Sequence, residues 1–235
     1  TNCLSGSRSH QKSVLHHEAD DPTLSALRDA AAQHKIWLSL GSFGVKTHDG
    51  DGRFANRQFL ISPQGEITAR YDKIHMFDVD VSATETWRES AGYRPGDRAV
   101  IADTPFAKIG MAICYDMRFP LLANALAQSG AQILTYPSAF TPATGAAHWH
   151  SLLRARAIET GCYVMAPAQT GKHPSASERS RSTYGHSLVV DPWGKVILDA
   201  GTEPGVYMFE FDVNDVADAR RRVPALQNER EFSGP

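Results

Sequence analysis

Apolar residues recur along the chain in two spacings, one typical of amphipathic helices and one of buried strands. Residues 24–34 repeat small and apolar side chains three or four positions apart, directly after the helix-start signal Asp21-Pro22. Residues 36–40 form a largely apolar run that Gly41 closes, as expected of a buried strand. The N-terminal third therefore predicts a helix followed by a strand.

The same spacings continue to the C-terminal third. Residues 58–68 and 187–198 each read as strand, Pro-x-Gly turn, strand, which predicts two hairpins. Further predicted elements are strands at 132–136 and 162–166, helices at 121–128 and 147–160, and loops at 78–98 and 172–181. Gly161 follows the second helix at the position that glycine favours. The alternation predicts a mixed α/β protein.

Composition narrows the class of protein. With 235 residues, 42% of them hydrophobic, we expect one domain over residues 1–235. The net charge of −2 gives no argument for nucleic acid, and the basic run 220–222 is expected on a solvated or interface face. The sequence has no apolar stretch of the roughly 18–20 residues that a membrane span needs. Three cysteines, an odd and sparse set, predict no disulfide framework and a cytoplasmic location.

The strongest candidate for chemistry is Cys114. An apolar run from residue 108 ends at this cysteine, and Phe119-Pro120 then leads into the predicted helix at 121–128. A thiol between a strand end and a helix start is placed to react as a thiolate. A lone cysteine in a strand is more often a small core residue, but the polar residues Tyr115, Asp116 and Arg118 favour a site.

These residues also carry a resemblance. The segment Gly110-Met-Ala-Ile-Cys-Tyr-Asp-Met-Arg-Phe-Pro120 resembles the nucleophile motif of the nitrilase superfamily, the carbon-nitrogen hydrolases. Further motifs resemble its deaminated-glutathione amidase and ω-amidase branch: Tyr136-Pro-Ser-Ala-Phe140, His148-Trp149, Leu153-Arg-Ala-Arg-Ala-Ile-Glu159, and Tyr184-Gly-His-Ser187 with Asp191-Pro-Trp-Gly194. The resemblance implies a four-layer α-β-β-α sandwich that lacks about 40 N-terminal residues of the family domain.

The resemblance also implies a catalytic set that needs no cofactor and no metal. Cys114 would be the nucleophile, while the ammonium of Lys73 and the backbone N–H of Tyr115 would stabilise the oxyanion. Glu89 would orient the lysine or the attacking water. Without the resemblance, Lys73 would be read as a surface lysine and Glu89 as an exposed loop carboxylate. The family's general-base glutamate is not among the 235 residues, and Glu18 and Glu66, the nearest acids, are weak substitutes.

The implied reaction is hydrolysis of a small carboxamide through a thioester, with release of ammonia. In this branch we expect a 2-oxo ω-amide or its peptide conjugate, with Arg118 as the cationic partner of the substrate and Phe140 stacking on it from the loop 140–145. Pairing of Arg118 with Asp116 is an equally ordinary use of that arginine. We also expect a homodimer or larger oligomer, with the tail 220–232 as an interface arm.

Other interpretations remain open from sequence alone. The protein could instead be a nitrilase, an N-carbamoyl amino acid amidohydrolase, an isochorismatase-like cysteine hydrolase or a non-catalytic truncated binding protein. His148 and His150 could bind metal, but they do not share a helix face and no acid or cysteine is spaced to join them. Cys3 lies in a polar segment, and Cys162 opens a buried strand with no electropositive neighbour in the sequence.

Overall fold

The computed structural model describes residues 8–82, 85–173 and 181–234, which form four packed layers. The first layer is helix α2 (Pro22–His34), whose first turn is capped by the side chain of Asp21 at 2.9 Å from the Leu24 N–H. Leu24 and Ala31 face a three-stranded antiparallel sheet and form a small core with it. Helix α1 (Arg8–Val14) precedes this layer.

The second layer is that sheet, in the order β1-β2-β3. Its strands are β1 (Leu38–Lys46), β2 (Phe54–Ile61) and β3 (Ile67–Asp72). The predicted hairpin at 58–68 is therefore confirmed. The strand predicted to end before Gly41 instead continues to Lys46, because an irregularity in the pairing between Leu40 and Phe43 absorbs the glycine without ending the strand.

The third layer is a six-stranded mixed sheet in the order β13-β12-β9-β8-β7-β6. Its strands are β6 (Val100–Asp103), β7 (Lys108–Met111), β8 (Ile133–Thr135), β9 (Tyr163–Ala166), β12 (Leu188–Val190) and β13 (Val196–Asp199). Strands β7, β8 and β9 run parallel to one another, while the outer pairs are antiparallel. Leu60 and Tyr71 of the second layer pack on Ile109, Met111 and Ile133 of this sheet, which forms the inner core.

The fourth layer consists of α3 (Pro120–Gln128) and α4 (Pro142–Thr160), which cover the other face of the large sheet. Gly161 ends α4 with a φ of +58°, as predicted. Helix α4 begins five residues earlier than predicted, because the Thr141 side chain caps its first turn. Residues 142–145, expected in a loop, are therefore helical.

Two predicted loops contain short hairpins. Strands β4 (Asp78–Asp80) and β5 (Thr86–Arg88) pair within 78–98, and β10 (Thr170–His173) pairs with β11 (Arg181–Tyr184). Their charged sequences hid the strand pattern. In the described ranges, no helix has the length and apolar character needed to cross a membrane.

Helix α5 (Asn214–Arg222) carries the basic run, and its first arginine departs from expectation. Arg220 points inward, where it donates hydrogen bonds to the carbonyl oxygens of Thr160 at 3.0 Å and Ala131 at 2.7 Å. These two carbonyls end α4 and precede β8, so Arg220 joins α5 to both. The other two arginines of the run, Arg221 and Arg222, are exposed, as predicted.

Candidate active site

Cys114 follows β7 at the carboxyl edge of the parallel strands and is the first residue of a short 3₁₀ helix, Cys114–Arg118. Its φ of +49° lies in the left-handed region, which non-glycine residues rarely occupy. Such a conformation costs free energy and is typical of functional positions. The side chain is partly exposed, whereas Ile113 before it is fully buried. The chain therefore turns sharply at the point where the thiol reaches solvent.

Asp116 holds this turn in place. Its buried carboxylate accepts hydrogen bonds from the Ile113 N–H at 2.8 Å and the Tyr71 hydroxyl at 2.7 Å. It also accepts from the His75 N–H at 3.0 Å and lies 2.7 Å from His75 Nδ1. Burial and then the negative charge of Asp116 raise the pKa of Tyr71, which keeps that hydroxyl a donor. Asp116 thus joins the nucleophile turn to the end of β3, and it does not pair with Arg118.

Lys73 lies immediately after β3 and lines the same cavity as Cys114. Its side chain is only 2% exposed and forms an ion pair with Glu89. Burial opposes the charged form, but the carboxylate of Glu89 and the negative charge of a Cys114 thiolate outweigh it, so the pKa of Lys73 is raised. Lys73 therefore stays positive beside the thiol at neutral pH.

Glu89 receives three donors and is fixed by them. Besides Lys73, the Phe77 N–H donates to its Oε2 at 2.7 Å and the Asn56 side-chain amide donates to its Oε1 at 3.0 Å. The residue opens a 3₁₀ turn directly after β5, and its three donors come from β2, from the residue after β3 and from the residue before β4. Such a saturated carboxylate is suited to orienting the lysine.

A cavity of about 360 Å³ opens above these groups, a size suited to a small-molecule ligand. Cys114, Lys73, Glu89, Tyr115 and Phe140 all line it, so the structure brings five of the six predicted site residues together. Its remaining wall is largely aromatic and polar, with Phe77, Trp87, Tyr93, Thr141, Thr144, Asn56, Arg88 and Arg181 among its members. The cavity thus combines an apolar wall with a thiol and several cations.

Arg118 is the predicted residue that the structure places elsewhere. Among the described residues, it is not part of the cavity lining. Its guanidinium lies over the rings of Tyr115, at 5.9 Å, and Phe140, at 5.5 Å, and its Nη2 is 3.2 Å from Nδ1 of His148. The arginine therefore supports two lining residues from behind.

Several lining residues were not predicted from the sequence, among them Asn56 and Arg181. Asn56 is buried in β2, where it has no local motif to mark it. Arg181 lies in a segment that the sequence predicts to be a polar loop, yet β11 carries it to the cavity. The nearby Tyr184 motif was the available signal: Tyr184 packs against Gly145 of α4, where any Cβ would lie 2.4 Å from the tyrosine Cβ. That close approach brings β11 and the start of α4 to the same wall of the cavity.

The other acids that the sequence offered lie away from the thiol. Glu18 pairs with Arg57 and Arg70 on the outer side of the three-stranded sheet, and Glu66 lines the same separate depression. Neither acid lines the Cys114 cavity in the described ranges. Cys3 lies outside the described residues.

A sequence model of the carbon-nitrogen hydrolases matches residues 4–221. The chain belongs to the carbon-nitrogen hydrolase family. The resemblance drawn from the motifs is thus confirmed, and the isochorismatase-like alternative is excluded. The family's members are enzymes that hydrolyse carbon–nitrogen bonds, and the four-layer sandwich expected for it is the fold observed here.

Two relatives of this carbon-nitrogen hydrolase are named deaminated glutathione amidase. The deaminated glutathione amidase of Yersinia enterocolitica is 40% identical over 91% of this chain and 74% of its own length. That of Homo sapiens is 46% identical over 83% of this chain and 59% of its own length. The chain therefore spans between about three fifths and three quarters of these two proteins.

Solved structures of the family agree with the fold. The C. elegans NitFhit protein superposes with a TM-score of 0.82 at 39% identity, over 90% of this chain and 51% of that one. A Saccharomyces cerevisiae member of branch 10 of the nitrilase superfamily also gives 0.82, at 32% identity, over 96% of this chain and 79% of that one.

Proposed function

We propose that this carbon-nitrogen hydrolase is a thiol-dependent amidase, in which Cys114 attacks the carbon of a carboxamide. The observation that carries the proposal is the buried Lys73–Glu89 pair at the wall of the cavity into which the Cys114 thiol opens. A fixed positive charge beside a thiolate and a developing oxyanion stabilises both. A purely structural ion pair would have no need of a reactive thiol or a ligand-sized cavity next to it.

The reaction has two halves. Attack of the Cys114 thiolate gives a tetrahedral intermediate whose oxyanion is held by the Lys73 ammonium and the Tyr115 N–H. The C–N bond then breaks, the nitrogen leaves as ammonia with the proton that the Cys114 thiol gave up, and a thioester remains on Cys114. Water hydrolyses the thioester and releases a carboxylic acid and the thiol. Glu89 holds Lys73 in position throughout the reaction. Its carboxylate is itself fixed by the Asn56 side-chain amide and the Phe77 N–H.

The substrate is proposed to be an ω-amide that carries a carboxylate. Relatives at 40% and 46% identity are named deaminated glutathione amidases. The cavity supports a carboxylate-bearing substrate with Arg181, whose guanidinium lies 5.2 Å from the Trp87 ring centre and donates to the Ala139 carbonyl at 3.0 Å. A guanidinium held in place by an aromatic ring and a backbone carbonyl can recognise a carboxylate through two hydrogen bonds.

Ammonia release tests the reaction and the substrate together. The protein made from its complete gene is supplied with carboxylate-bearing ω-amides, neutral amides, aliphatic nitriles and N-carbamoyl amino acids. We expect ω-amides to react fastest. Cleavage of nitriles or carbamoyl compounds at least about tenfold faster would favour a nitrilase or an N-carbamoyl amino acid amidohydrolase instead. Failure of all four classes to react would favour a non-catalytic binding protein.

Paired arginine variants test the substrate end. Arg181→Met should raise KM for carboxylate-bearing amides by about 10- to 100-fold while leaving neutral amides nearly unchanged. Arg118→Met is the matched control, because Arg118 lies outside the described cavity lining. If Arg118→Met selectively lost activity on carboxylate-bearing substrates while Arg181→Met did not, Arg118 would be the cationic partner of the substrate, as the sequence analysis expected.

A further inference from the structure

Two histidines and an aspartate from three separate elements meet on the face of the molecule where α4 covers β12 and β13. His150 lies on α4, His186 lies two residues before β12, and Asp199 ends β13. His150 Nε2 is 2.9 Å from Asp199 Oδ2, and His186 Nδ1 is 2.9 Å from Oδ1 of the same carboxylate. One nitrogen of each ring and one carboxylate oxygen all lie within 4.8 Å of one another.

The backbone fixes His186 before any ligand binds. Its φ of +58° lies in the left-handed region, as does that of Cys114. Its N–H donates to the Gly201 carbonyl at 2.6 Å, and its own carbonyl accepts from the Trp149 indole at 2.8 Å. The imidazole also stacks on the ring of Tyr184 at 4.5 Å between centroids. A non-glycine residue held in a costly conformation by three such contacts indicates a constrained position.

Asp199 is oriented from the opposite side. The Gly201 N–H donates to its Oδ1 at 2.9 Å, so the carboxylate is held by backbone as well as by the two rings. Hydrogen bonds to metal ligands that fix their orientation are a regular feature of metal sites. The three side chains are between one quarter and just over one third exposed, so an ion can reach them and keep a water ligand.

The donor set selects a class of ion. Two imidazoles and one carboxylate suit Zn²⁺, Ni²⁺, Co²⁺ or Cu²⁺ better than Mg²⁺ or Ca²⁺, which prefer oxygen alone. Metal–ligand distances of about 2.0–2.2 Å in a tetrahedron require ligand atoms about 3.3 Å apart. Asp199 Oδ2 lies 2.9 Å from His150 Nε2 and 3.2 Å from His186 Nδ1, so these two separations differ from that value by only a few tenths of an ångström.

We propose that His150, His186 and Asp199 form a binding site for a divalent transition-metal ion that joins α4 to the β12–β13 hairpin. None of the three lines the described Cys114 cavity, so the ion would not take part in the reaction proposed above. Its effect is on stability, because it links the outer helix layer to the edge of the large sheet. Sequence spacing alone gave His150 no partner, whereas the fold supplies two from residues 36 and 49 positions away.

Metal binding is tested on the complete protein, made without a histidine tag and stripped with a chelator. Cys114→Ala serves as the background, since the thiol is itself a metal ligand. Calorimetry with Zn²⁺ should give one ion per chain, and the melting temperature should rise with Zn²⁺ concentration. With Co²⁺, the absorption spectrum should show nitrogen and oxygen ligation, with no sulfur-to-cobalt charge-transfer band.

His150→Ala, His150→Gln and Asp199→Asn should each weaken Zn²⁺ binding at least about tenfold. His148→Ala is the matched control, because it removes a histidine from the same helix whose contact is with Arg118. Far-UV circular dichroism of the metal-free variants shows that each has folded. Equal Zn²⁺ affinity in all four variants, or no binding by the Cys114→Ala background, would overturn the proposal.

Discussion

Cys114 and Cys162 make an informative pair, because both are thiols at strand ends of the same six-stranded sheet. Cys114 follows β7 and opens into the cavity beside Lys73. Cys162 precedes β9 and is fully buried, with its sulfur 3.1 Å from Nη2 of Arg220 and 3.2 Å from the Ala131 carbonyl. No residue close to Cys162 in the sequence is electropositive, yet the fold places Arg220, 58 residues away, beside its sulfur. A cation beside a thiol is therefore not enough to identify a nucleophile.

Arg220 and Lys73 lie beside thiols in different surroundings, one in the closed core and the other at an open cavity. Burial raises the pKa of Cys162 despite the opposing charge of Arg220, so this thiol stays protonated. Arg220 is occupied by two backbone carbonyls as well as by the sulfur. Lys73 instead faces a cavity that can admit a substrate. The two thiols differ in their access to solvent and in the strained backbone turn, which is present at Cys114.

The largest expected difference between the two cysteines is in turnover. Cys114→Ala should lower ammonia release by at least roughly a thousandfold, because no thioester can form. Cys162→Ala should keep kcat within about twofold, since its sulfur contacts only core groups. Steady-state assays of both variants, with circular dichroism as a check of folding, make the comparison. Substantial turnover by Cys114→Ala would end the thiol-amidase hypothesis.

The second largest effect on turnover is expected from Lys73, the cation beside Cys114. Lys73→Met should lower kcat by about 10²- to 10³-fold with a much smaller change in KM, because the ammonium is matched to an oxyanion formed during the reaction. Full kinetic curves separate the two parameters. A raised KM with an unchanged kcat would make Lys73 a substrate anchor and contradict the proposed role.

Alkylation compares the thiols directly. At neutral pH, iodoacetamide should modify Cys114 at least roughly tenfold faster than Cys162, because one thiol is accessible and the other is buried with a raised pKa. Peptide mapping by mass spectrometry follows both sites in one sample, and unfolding in urea should remove the difference. Faster modification of Cys162 in the native protein would show that its burial is not maintained in solution.

The smallest effect on activity is expected at Arg220. Arg220→Met should lower the free energy of unfolding by about 1–3 kcal/mol, since the Thr160 and Ala131 carbonyls lose a charged donor. The value of kcat should stay within about twofold. Arg221→Met, at an exposed position one residue away, is the control and should change stability by less than about 0.5 kcal/mol. Equal urea midpoints for the two variants would contradict the structural role of Arg220.

Most helices and strands could be predicted because the residues that begin and end them are adjacent to them in the sequence. Asp21 caps α2 and Gly161 ends α4, as their positions indicated. The four-layer arrangement came from the family resemblance instead, since periodicity does not state which sheets stack. The short hairpins near residues 80 and 173 were missed, because charged side chains on exposed strands resemble a loop.

Cavity-lining residues were predicted from the sequence where a motif marks them and were missed where only tertiary contact brings them to the cavity. Cys114 and Lys73 each sit in a recognisable segment at a strand end. Asn56 and Arg181 reach the cavity only because β2 and β11 fold next to it. Arg118 shows the converse, since proximity in sequence to the nucleophile did not place its side chain in the cavity lining.

The thiol and the ammonium stand on different sheets: Cys114 follows β7 of the six-stranded sheet, and Lys73 follows β3 of the three-stranded one. Their separation is therefore set by how one sheet rests on the other. A slip of one residue, about 3.3 Å, would part them while leaving every strand intact. The rate of turnover should therefore be sensitive to how the two sheets are aligned. Substitutions in the inner core around Ile133 should lower this rate before they change the far-UV circular dichroism spectrum.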